Sequence, residues 1–131
     1  MIDIIDEKEM YLTILDNVSD GIYCVDENRN IFFWNKEAER ISGYTAEEML
    51  SKSCAESRLE HKNVSGKYLC DVFCPLLGTM FDGQPREETL YLKRKDGRRI
   101  TVRVRTRPLC NGGQSIGAIE YFHEVDEMEQ K

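Results

Sequence analysis

Residues 31–50 read IFFWNKEAERISGYTAEEML, and the fold turns on how this stretch is parsed. IFFW is short, β-branched and aromatic, as a strand requires. Asn35 follows at once, and its side chain can accept from the first free amides of a helix. The spacing predicts a helix over NKEAERISG, with Ala38 and Ile41 inward and Gly43 as the C-terminal stop. Thr45 then opens a second short helix, because threonine with Glu48 three residues on is a capping box.

Upstream, residues 22–25 (IYCV) are another short apolar run, separated from IFFW by turn residues DENRN. The pair predicts a β-hairpin. Before it, residues 6–17 (DEKEMYLTILDN) carry a helical period through Met10, Tyr11, Ile14 and Leu15, with acids in the first turn. An amphipathic helix ahead of a domain either packs on that domain or pairs with its own copy.

Downstream, residues 51–71 show no clean period and read as loop-rich. Pro75 suits a first helical position and makes Cys74 the expected N-cap of PLLGTMFD, which Gly83 ends. Residues 87–95 and 98–109 flank Asp96-Gly97, a strong hairpin signal. In ITVRVRTRP, Ile100, Val102 and Val104 face one side, while Thr101, Arg103, Arg105 and Arg107 face the other. Asn111-Gly112-Gly113 turns into a last strand, SIGAIEYFH. Helix, two strands, short helices and three strands describe an α+β domain with one antiparallel sheet and helices on one face.

The chain has 131 residues, the size of one domain, and a net charge of −6. That acidity argues against nucleic-acid binding. Eight basic residues and one acid between Lys93 and Arg107 read as a solvated strand face. No apolar run approaches the ~20 residues that span a bilayer. The N-terminus MIDIIDEKEM is acidic where a signal peptide is basic, so a cytoplasmic location without membrane insertion is expected. Five cysteines are an odd number, which argues against a full disulfide framework.

Three stretches together resemble a PAS domain: FWNKEAERISGYTAEEML, YLKRKDGRRITVRVRTRPL and SIGAIEYFHEVDE. The resemblance implies a five-stranded antiparallel sheet with short helices on one face and an N-terminal flanking helix. It divides the chain into an N-terminal flank (1–9), a sensor domain (10–124) and the start of a C-terminal signalling linker (125–131). It implies a sensory module that detects a small ligand, metal or redox state and relays it to a C-terminal effector. Cys74-Pro75-Leu76 is similar to a subgroup found before diguanylate cyclase or histidine kinase effectors. The family commonly dimerises through the N-terminal helix and outer sheet face, so a homodimer is expected. The alternative is a ligand-free dimerisation or interaction module. At the exit, Glu124-Val125-Asp126 stands where the family often has Asp-Ile-Thr.

Phe33, Asn35, Ile41, Leu77, Met80 and Phe81 are the candidates to line a ligand pocket. Of the consecutive aromatics Phe33 and Trp34, one must face the core and the other outward. Cys54, His61, Cys70 and Cys74 form C-x6-H-x8-C-x3-C, a soft donor set suited to zinc or an iron–sulfur cluster. The bland alternative is an apolar, thiol-rich pocket. Cys70 and Cys74 are a candidate redox pair, while Cys24 and Cys110, on strands, are expected to be packing. No CxxCH is present and the helix after Pro75 has no histidine, which argues against haem. The residues flanking Cys54 do not match a flavin-adduct motif. No nucleophile motif, phosphate loop or paired carboxylates point to an enzyme.

Overall fold

The computed structural model describes residues 6–50, 52, 61–63, 65–67 and 75–126. Helix α1 spans Glu7–Leu15 and starts at Asp6, whose carboxylate accepts from the Lys8 amide. Strands β1 (Gly21–Asp26) and β2 (Ile31–Trp34) form the expected hairpin, with Asp26 accepting from the Asn28 and Asn30 amides in the turn. Helices α2 (Lys36–Ser42) and α3 (Ala46–Met49) follow. After α4 (Pro75–Asp82) come β3 (Arg86–Lys93), β4 (Arg99–Asn111) and β5 (Gln114–Glu124).

The strands make one antiparallel sheet in the order β2-β1-β5-β4-β3. This is the expected α+β architecture, with α2 and α4 packed against the sheet. The last strand, β5, lies between β1 and β4, so the residues that precede the exit are central in the sheet. Gly117 permits that closure. A Cβ there would lie 2.1 Å from the Val25 carbonyl oxygen, closer than any side chain can come.

The caps behave as their residue types dictate. Gly43 ends α2 at φ 83°, a left-handed conformation that suits glycine. Thr45 accepts from the Glu48 amide and Glu48 from the Thr45 amide, closing the capping box. Glu48 also takes Lys95, at the β3–β4 turn, and these bonds hold its carboxyl at about 2. Arg94 donates to the Ile41 carbonyl, so the basic turn sits on the C-terminal end of α2, where positive charge is favoured.

The inner face is the core. Tyr23, Val25, Trp34, Leu90, Leu92, Val102, Val104 and Phe122 are buried there with Ile41 and Met49. Trp34 points inward opposite Tyr23, while Phe33, opposite Cys24, points to the outer face.

Candidate functional site

Strand register builds a row across the middle of the inner face: Trp34, Tyr23, Glu120, Thr106 and Arg86, one from each strand. The row passes from aromatic to polar to charged. Its aromatic end is packed, with Tyr23 and Trp34 ring centroids 5.2 Å apart and Phe122 set edge-on to Tyr23 at 6.1 Å. At the other end, the Thr106 and Thr79 hydroxyls share a hydrogen bond of 2.7 Å, both fully buried. Arg86 donates to Thr79 and grips Asp82 with both terminal nitrogens, at 3.0 and 2.8 Å. That grip holds the Asp82 carboxyl at about 2.

Glu120 sits between these ends, only 3% exposed. His61 reaches it from the segment before α4. Lys62 pairs through both backbone groups with Tyr91 of β3, which fixes the backbone beside His61. The His61 Nε2 lies 3.5 Å from Glu120 Oε2. Among the described residues these two buried atoms have no hydrogen-bond partner. Leaving such a group unmade costs ~1–3 kcal/mol, so the arrangement is not explained by stability.

Burial sets the charge state. It pushes the Glu120 carboxyl up to about 8, against the pull of the hydrogen bond from Tyr23. It holds the His61 imidazole down at about 4. The separation alone would allow an ion pair, but burial disfavours both charges, so at neutral pH we assign an uncharged acid beside an uncharged imidazole.

The residues expected to line a pocket do not converge on this row. Asn35 is consumed by structure. Its Oδ1 accepts from the Ile22 and Ala38 amides, and its Nδ2 donates to the Leu15 and Asp20 carbonyls. Ile41 is core packing. Leu77, Met80 and Phe81 share a shallow cleft of about 260 Å³ with Glu27 and Ser115, and Phe81 is 93% exposed. The helix turns these three partly outward, because Leu76 and Thr79 take the inward positions. Phe33 is corrected to the opposite side of the sheet. Of the proposed metal set, Cys54, Cys70 and Cys74 lie outside the described residues, as does the N-cap expected at Cys74. His61 faces Glu120. Among the described residues no three His, Cys, Asp or Glu converge on a metal position.

The outer face carries a second feature, an apolar groove of about 370 Å³. Leu15, Ile22, Cys24, Phe33, Ile119 and Tyr121 line it, with Phe32, 52% exposed, at its edge. Burial pushes the Cys24 thiol up to about 11, so it is a poor nucleophile. Cys110 is exposed rather than packed, since β4 runs out into the β4–β5 turn there. Beside the groove, Asp20 takes Arg105 at 3.2 Å and faces His123 at 3.6 Å, which ties the α1–β1 junction to the end of β5. No helix of the described residues is long and apolar enough to cross a membrane.

A family model for the PAS fold matches residues 9–125. The chain belongs to the PAS family. This PAS domain is 27% identical over 126 residues to "Two-component system protein A" of Emericella nidulans, covering 94% of the chain and 17% of that relative. It therefore spans about one-sixth of that protein's length. Among solved structures, a PAS domain from Colwellia psychrerythraea superposes with TM-score 0.73 at 19% identity, covering 92% of this chain and 98% of that one. The PAS domain of nitrogen regulation protein NR(II) from Vibrio parahaemolyticus gives 0.69 at 17%, covering 88% and 98%. These likenesses establish the fold.

The expected pocket residues omit Glu120, Tyr23, Thr106 and Thr79. The signal for Glu120 lies in SIGAIEYFH: it shares the parity of Ala118 and Phe122, both buried, so a carboxylate stands at an inward position.

Proposed function

We propose that this PAS domain is the sensory module of a signal-transduction protein. A small ligand is recognised at the inner polar row, and the change leaves through β5 into the linker after Glu124, toward a C-terminal effector. The observation that carries this reading is the buried Glu120–His61 pair, whose facing atoms have no hydrogen-bond partner among the described residues. β5 supplies Glu120 and, four residues later, the exit residue Glu124, so a force on the pair acts on the strand that leads out. Similarity to a two-component system protein supports a signalling context. The test is mass spectrometry of small molecules released on denaturing protein purified from its own cytoplasm. A stoichiometric organic molecule supports the reading. Protein that releases none, and whose stability no cell extract fraction raises, contradicts it.

The outer groove favours a second role for the same domain, homodimerisation. Tyr11 and Ile14 of α1, whose Leu15 lines the groove, and Phe32 of β2 at its edge are large apolar residues more than half exposed. A second copy's α1 would cover them, with its acidic residues near Arg103 and Arg105 of β4. Without a ligand, this becomes the dimerisation-module alternative. Sedimentation at high micromolar concentration distinguishes dimer from monomer.

Zinc or an iron–sulfur cluster on Cys54, His61, Cys70 and Cys74 is a separate reading of the same region. It requires that the metal copurify near one equivalent, and less than about a tenth of an equivalent of zinc and iron removes it.

A further inference from the structure

We propose that the β3–β4 pair holds a binding site for a phosphate monoester, gripped by Arg105 and Arg107 of β4. The site lies apart from the inner polar row, and it stands or falls independently of the sensory reading.

Three observations carry it. First, there is room for a ligand. A cavity of about 290 Å³ opens where β3 begins, lined by Pro85, Arg86, Glu87, Arg105, Thr106 and Arg107. That is close to the lower end of the size range of small-molecule sites, so a phosphate with an organic group attached fits. Arg105 and Arg107 share the cavity because they stand two residues apart on one face of β4, ~7 Å along the strand. Second, positive charge is unevenly compensated along that face. Arg103 is held by Glu87 at 2.9 Å, and Arg105 by Asp20 at 3.2 Å. Arg107 has no acidic partner among the described residues. Glu87 is the one acid lining the cavity, and its carboxylate is taken by Arg103. The cavity therefore keeps an uncompensated positive charge, in a chain whose net charge is −6. Third, donors are left over. A guanidinium presents five N–H groups in a planar fork. Arg105 uses Nη2 on Asp20, and its Nε and Nη1 have no partner among the described residues. Arg107 is exposed, with its whole fork open. A phosphate monoester has three terminal oxygens, enough to accept from both forks at once. A carboxylate has two, and a single fork fills them. The arrangement thus favours phosphate over carboxylate.

The test uses the whole chain with phenyl phosphate, inorganic phosphate and benzoate at matched ionic strength. Binding is followed by NMR at the Nε–H signals of Arg105 and Arg107. The expected result is saturable shifts with phenyl phosphate, at least about tenfold tighter than with benzoate, the worth of one further charge-assisted hydrogen bond. Arg107→Gln should weaken phenyl phosphate by at least about tenfold while the amide spectrum stays that of the folded chain. Arg107→Lys, which keeps the charge and loses the fork, should bind more weakly than the native chain. Arg98→Gln, which removes an exposed arginine at the β3–β4 turn, should leave the affinity unchanged. Benzoate binding as tightly as phenyl phosphate overturns the phosphate class. Inorganic phosphate binding as tightly as phenyl phosphate overturns the ester. Equal losses in Arg107→Gln and Arg98→Gln mean attraction to diffuse charge and overturn the site.

Discussion

Each face of the sheet departs locally from the usual distribution of polarity. The inner face is a packed apolar core that nonetheless holds an acid and an imidazole whose facing atoms have no hydrogen-bond partner among the described residues. The outer face should be solvated, and on β4 it is, with Arg103, Arg105 and Arg107. On β1, β2 and β5 it becomes an apolar groove. Each departure is costly for an isolated folded monomer, and the costs have different signatures. An unmade hydrogen bond is relieved by a ligand of matching chemistry, whereas exposed apolar surface is relieved by another protein surface. On the reading proposed above, recognition belongs to one face and assembly to the other.

The largest effect should come from a substitution that disrupts both faces together. Gly117→Ala drives a Cβ into the Val25 backbone where β1 and β5 meet. A loss of ~4 kcal/mol, or failure to fold, is expected in urea unfolding. A next pair of variants separates the faces. Leu92→Ala, fully buried on the inner side, should cost ~2–5 kcal/mol. Phe33→Ala, half-buried on the outer side, should cost the isolated domain only ~1 kcal/mol yet weaken the proposed dimer, moving sedimentation toward monomer. If Phe33→Ala is the more destabilising at low concentration, the outer groove is part of the core and the comparison fails.

The pH response sharpens the inner face. Between pH 4 and 6.5 unfolded His61 binds more protons than folded His61, so its contribution to stability rises with pH. Between pH 4.5 and 8 folded Glu120 binds more protons than unfolded Glu120, so its contribution falls as pH rises. The two oppose each other up to pH 6.5, and above it only Glu120 acts. Stability should therefore drop by ~1–2 kcal/mol from there to pH 8, and Glu120→Gln should remove the drop. The smallest effect is expected from Arg105→Gln, which removes a partly exposed ion pair with Asp20 and should cost ~0.5 kcal/mol.

Much of the fold was legible because its signals are local. The Thr45–Glu48 box, Gly43, Asp96-Gly97 and the alternation of ITVRVRTRP each act within a few residues, and the structure uses each one. The site was far less legible, because its residues meet only through strand register. Nothing near Phe33 in sequence says which of it and Trp34 points inward; pairing with β1 decides it. Leu77 and Phe81 look like core residues by type, yet they sit on the outward side of α4. Asn35 could have bonded a ligand, but four backbone groups from three segments occupy it. Glu120 was the readable exception, an acid at an inward position of an alternating strand. His61 had the right chemistry for a ligand, and the structure gives it a carboxyl neighbour that spacing alone could not reveal.

Backbone amide shift mapping across both faces tests the division most directly. With a small-molecule extract of cells added to saturation, changes are expected to centre on Glu120, His61 and Tyr23, with Ile22, Phe33 and Ile119 unmoved. Changes centred on the outer groove, with Glu120 and His61 silent, would contradict it.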